Sequence, residues 1–143
     1  MIDLATGQIL FASGASVAPG FTPGDLEASP FARTAERGNA PQPPWDTYTV
    51  GRHDLDGVPV LVTLAFYDGH LRSVDMYLVD DSETASWADW SEKRERNRKA
   101  RGDKLLRAVL GSPPYKYPWG SISSVYDPKS GFSNIVVTYV TPL

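Results

Sequence analysis

Few side chains in this 143-residue chain are equipped for chemistry. Its two histidines, His53 and His70, each adjoin a run of turn residues, Asp54-Leu55-Asp56-Gly57 and Asp68-Gly69. A neutral-pH general acid or base would most naturally be one of them. Neither lies in a catalytic motif, because HExxH, the phosphate-binding GxxxxGK[ST], GxSxG and GxGxxG are all missing. Asp54-Leu55-Asp56-Gly57 opens like a calcium loop but lacks the later ligands and the closing glutamate, so it reads as a hairpin turn. Ser123-Ser124 and the Asp127–Ser130 turn offer hydroxyls with no base beside them. There is no cysteine, hence no thiolate nucleophile, thiolate metal site or disulfide. These residues point to a protein that is not an enzyme and carries no metal or cofactor.

Charge is the stronger signal. The net charge of −3 conceals a split. From Glu92 to Arg107 eight cations (Lys93, Arg94, Arg96, Arg98, Lys99, Arg101, Lys104, Arg107) face three carboxylates (Glu92, Glu95, Asp103). That window is +5, which leaves −8 on the rest of the chain. Such a split bears on partners and association rates rather than on fold. Two surfaces follow. One is acidic, formed by Asp75, Tyr77, Asp80, Asp81, Glu83 and Asp89, and would steer a basic protein partner with Tyr77 as an anchor. The other is an anion-binding helix face carrying Arg94, Arg98 and Arg101. Glu92, Glu95 and Asp103 interrupt the second surface and the remaining chain is acidic, which argues against nucleic acid as its ligand.

The elements that must position these groups follow from period and punctuation. A length of 143 residues with 41% hydrophobic and 22% charged residues predicts one folded domain spanning 1–143. Ile2–Phe11 predicts a small hairpin or bent strand. Thr22, Pro23 and Asp25 are an N-cap, a first-turn proline and a third-position carboxylate, and predict a short helix that Pro30 must end. Arg33–Pro44 reads as a surface connection. Three strands follow over 46–52, 57–67 and 70–79, joined by turn chemistry suited to tight hairpins. A long helix is expected from about Trp87 to Leu110, capped by Ser86 and stopped by Gly111-Ser112-Pro113-Pro114. Its polar run from Ser91 to Lys104 predicts anchorage at both ends and a solvated middle. Two last strands, 119–126 and 133–140, form a hairpin. The fold class is α+β: an antiparallel sheet, meander plus C-terminal hairpin, packed against one long and one short helix. No apolar run is long enough to span a membrane, and no secretory segment opens the chain, so the expected location is the cytoplasm.

Trp87…Trp90-Ser91-Glu92, Leu110-Gly111-Ser112-Pro113-Pro114-Tyr115, Tyr117-Pro118-Trp119-Gly120 and Tyr126-Asp127-Pro128-Lys129-Ser130-Gly131-Phe132 together resemble a group of small bacterial α+β proteins. Asp3-Leu4-Ala5-Thr6-Gly7-Gln8-Ile9-Leu10 fits the same pattern. Proteins of this sort are similar to immunity proteins of bacterial polymorphic toxin systems. The resemblance implies a non-enzymatic protein that neutralises a cognate toxin or effector by occlusion. Together with the acidic surface, it implies a basic partner. The alternative reading is a small anion- or nucleic-acid-binding domain using the helix over 92–107.

Overall fold

Two tight turns set the frame of the computed structural model, which describes residues 1–38, 42–79 and 91–140. Asp56-Gly57 and Asp68-Gly69 all take positive φ, between 51° and 84°. That is the backbone twist which lets two residues reverse a strand, and Asp and Gly tolerate it best. They join β4 (Trp45–Leu55), β5 (Val58–Tyr67) and β6 (His70–Leu78) into an antiparallel meander.

The N-terminal residues contribute β1 (Ile9–Leu10) and β2 (Ser16–Val17), a two-stranded sheet, with a bridge from Ile2 to Ile9. Helix α1 (Pro23–Glu27) follows, capped as its sequence predicts: Thr22 accepts from the Asp25 amide while the Asp25 carboxylate accepts from the Thr22 amide. Pro30 restarts the chain as a 3₁₀ turn, Pro30–Arg33, capped by Ser29. The connection over 33–44 is not wholly a loop, since β3 (Glu36–Arg37) pairs with β4. The C-terminal part supplies α2 (Glu92–Leu110), β7 (Tyr115–Tyr117), β8 (Gly120–Asp127) and β9 (Phe132–Tyr139). The larger sheet runs β3-β4-β5-β6-β9-β8-β7. Thus the last strand, not the eighth, docks on the meander.

One face of this sheet is the core. Val60, Val62, Leu64, Val74, Met76, Ile135, Val137 and Tyr139 are buried there, under Ile9, Phe11, Val17, Leu26 and Phe31 at one side and Leu106 of α2 at the other. Long-range bonds fasten the N-terminal segment to the C-terminal hairpin. The Tyr139 hydroxyl donates to the Gly7 carbonyl at 2.6 Å, and the Trp119 indole donates to the Leu4 carbonyl at 2.8 Å. Burial raises the Tyr139 phenol well above its ordinary pKa. Gly7 has φ +80°, and a Cβ there would strike the Trp119 ring at 2.6 Å.

Candidate interaction surface

Helix α2 departs from the sequence expectation in three ways. It starts at Glu92, with Ser91 as N-cap accepting from the Arg94 amide at 3.1 Å. The expected start, with Ser86 and Trp87, lies outside the described residues. Its middle is not solvated: the buried stripe is Glu95, Arg98, Gly102 and Leu106, spaced to share one helix face. And of the expected apolar end only Leu106 is buried, while Val109 is 69% exposed. Three of the four stripe residues are charged or glycine, so hydrophobic periodicity had nothing to detect.

The stripe works through polar contacts. Glu95 is 2% and Arg98 3% exposed, and the two form an ion pair. Glu95 Oε2 also accepts from the Tyr77 hydroxyl at 2.8 Å, and its Oε1 accepts from the Ser133 amide at 2.9 Å. Arg98 Nε donates to the Leu78 carbonyl at 2.9 Å, with its guanidinium 4.1 Å from the centre of the Tyr77 ring. The Ser133 hydroxyl donates to the Glu95 carbonyl at 2.6 Å.

This network closes a gap in the sheet. Strands β6 and β9 pair from Ser73↔Thr138 to Met76↔Ile135. Two residues further on, the same register would oppose Leu78 and Ser133. The Val140 amide donates to the Trp119 carbonyl, which fixes the alternation along β8–β9 so that the Ser133 amide points toward β6. Its natural ladder partner would be the Leu78 carbonyl. Instead Glu95 takes the donor and Arg98 takes the acceptor, and the ion pair stands in for the missing rung.

Gly102 permits this approach. A Cβ there would meet Ser124 Oγ at 2.9 Å and Ile135 Cγ1 at 3.5 Å. Ser124 Oγ donates to the Lys99 carbonyl at 3.3 Å. On the β8 side of α2, Lys99 pairs with Asp103 at 2.9 Å, and Arg96 pairs with Glu92 at 2.8 Å while lying 4.9 Å from the Tyr126 ring centre. Burial raises the Asp103 pKa, but the Lys99 hydrogen bond and the charges of Lys99 and Arg107 outweigh it and hold the carboxyl below its usual value.

The outer face of α2 holds Lys93, Arg94, Arg101, Lys104 and Arg107, all exposed and none in an ion pair among the described residues. Arg94 and Arg101 of the sequence-derived anion-binding set are exposed on this face. Arg98 is not: it is buried against Glu95 and must be removed from that set. On the acidic side, Asp75 is half-buried and its pKa is raised by burial, so it is not a fully solvated carboxylate of that surface. Tyr77 spends its hydroxyl on Glu95. Asp80, Asp81, Glu83 and Asp89 lie outside the described residues.

The two histidines do not converge. His53 pairs with Val60 and His70 with Tyr67, seven residues apart along β5, or roughly 23 Å at a strand's rise. His53 meets a residue that sequence reasoning missed. Its Nε2 lies 2.9 Å from the Val50 carbonyl, to which it donates, and its Nδ1 lies 3.1 Å from the Ser13 hydroxyl. The ring is flanked by Phe11 and Phe31, with centroids at 5.5 and 4.9 Å. Its second nitrogen is held by a backbone carbonyl rather than a carboxylate. We read the pair as a clamp between the β1–β2 turn and β4. Among the described residues no three His, Asp or Glu side chains are grouped to hold a metal, and no helix is long and apolar enough to cross a membrane.

No protein-family model, curated protein or solved structure matches this chain.

Proposed function

We propose that the protein is a binding protein of the immunity type, which neutralises a protein partner by covering it, and that the outer face of α2 is its contact surface. The observation that carries this reading is the pairing of five exposed cations on one helix face with a buried ion pair that locks the same helix to the sheet. A fixed helix presents its charges without the entropic cost of ordering its backbone on association. The fit is to an acidic patch on the partner. Of the acidic surface anticipated from sequence only Asp75 and Tyr77 are among the described residues; Asp75 is half-buried and Tyr77 donates its hydroxyl to Glu95.

The test is co-expression with the product of an adjacent reading frame. The expected result is relief of growth arrest and a complex that survives gel filtration. Arg94→Glu, Arg101→Glu and Lys104→Glu together should abolish both while leaving the circular dichroism spectrum unchanged. A complex untouched by this reversal overturns the surface assignment, and failure to bind any neighbouring product overturns the immunity reading. The same cations support a second reading, a polyanion-binding domain. That reading predicts binding of a labelled oligonucleotide whose log Kd rises with log salt at a slope of about 3 or more, one for each phosphate neutralised.

A further inference from the structure

Among the described residues, β8 leaves part of the larger sheet's edge open. Strand β7 pairs with β8 only at Tyr115↔Ile122, Lys116↔Ser121 and Tyr117↔Gly120. Strand β8 runs on to Asp127, paired with β9 throughout. Among the described residues, it therefore has a neighbouring strand on one side only from Ser123 to Asp127. The alternation fixed by the Val140–Trp119 bond turns the amides and carbonyls of Ser124 and Tyr126 toward the open side. Among the described residues, none of those four groups has a hydrogen-bond partner there.

Sheet edges are usually blunted by brevity, charge or proline. Strand β3 is two charged residues, and β7 is three residues bracketed by Pro114 and Pro118. The open part of β8 has no proline and no lysine. Ser123 is exposed and Val125 is 40% exposed, on the face away from α2. The five residues span about 17 Å, the length of an ordinary strand. The flank of α2 that carries Arg96 and Lys99, paired with Glu92 and Asp103, overhangs this edge through the Arg96–Tyr126 and Ser124–Lys99 contacts, and the helix as a whole is +5 from Glu92 to Arg107.

We propose that the Ser123–Asp127 edge of β8 accepts an extended acidic segment of a partner protein as an added strand. Its acidic side chains would alternate toward α2, and small apolar ones would lie beside Val125. The proposal rests on the binding-protein reading and names the mode of contact. Backbone pairing supplies affinity and the alternating side chains supply selectivity. Charge decides against a second copy of this chain. Antiparallel pairing of two β8 edges about a two-fold axis would set two α2 helices side by side on one face, each +5 from Glu92 to Arg107.

The experiment titrates the ¹⁵N-labelled protein with a blocked decapeptide of alternating Asp and Val. Controls are the Lys/Val peptide and an Asp/Val peptide N-methylated at alternate residues. The expected result is slowed exchange and shifted amide resonances at Ser124 and Tyr126. The N-methylated peptide should bind about tenfold more weakly, having lost its strand-pairing donors, and the Lys/Val peptide should not bind. Equal binding of the N-methylated peptide, or shifts confined to Lys93, Arg101 and Lys104, overturns strand addition while leaving the cationic surface intact. No response to any peptide overturns the edge proposal, and the co-expression test still decides the immunity reading.

Discussion

Glu95 and Arg98 are placed where most proteins would put leucines, and the consequences differ from those of an ordinary buried pair. Replacing a buried ion pair with apolar residues is often neutral, because desolvation offsets the Coulombic gain. Here the carboxylate and guanidinium also satisfy the Ser133 amide, the Tyr77 hydroxyl and the Leu78 carbonyl. Glu95→Leu or Arg98→Met alone should cost about 3–5 kcal/mol, the usual loss when one buried partner is stranded. The double variant should recover part of that but stay destabilised, since each orphaned backbone group costs about 1–3 kcal/mol. Urea denaturation at constant m-value reads the difference, and a double variant as stable as the parent would refute the rung. Gly102 gives a second residue-level outcome. By helix propensity alone Gly102→Ala gains about 1 kcal/mol. The Cβ would instead displace Ser124 Oγ and break its bond to Lys99, so the substitution should destabilise the parent protein. In a Ser124→Ala background it should stabilise, with a coupling near 1 kcal/mol in the double-mutant cycle.

The long helix owes its start to a cap rather than to an apolar face. Ser91 satisfies the Arg94 amide, and Glu92 and Glu95 complement the positive end of the helix dipole. Ser91→Ala should cost about 1 kcal/mol in thermal or urea unfolding. The expected cap, Ser86, lies outside the described residues. The meander and α1 were legible because Asp-Gly turns, strand alternation and a capping box act locally. Tyr48↔Leu64 and Val62↔Met76 pair as the alternation requires. Strand β3 and the contact of β9 with β6 were not legible, since each depends on which distant strand offers an unpaired edge.

For the molecule as a whole, Asp75 links stability to pH. Burial raises its folded pKa above the unfolded value, so the folded state holds the proton more tightly. Stability from this group is present below the ordinary carboxylate value and is lost as pH rises through the folded pKa. Asp75→Asn should therefore raise Tm near pH 7 and have little effect near pH 3, where the parent carboxyl is already neutral. Equal gains at both ends would assign the effect to packing instead. Composition and punctuation by themselves determined the α+β class, the hairpins, the short capped helix and the +5 segment, because those features are written in neighbouring residues. Tertiary structure alone decided which cations point outward, that Arg98 points in, and that β8 is left with an open edge. Those depend on how α2 rolls when Glu95 finds Ser133, a contact across 38 residues that no local pattern encodes.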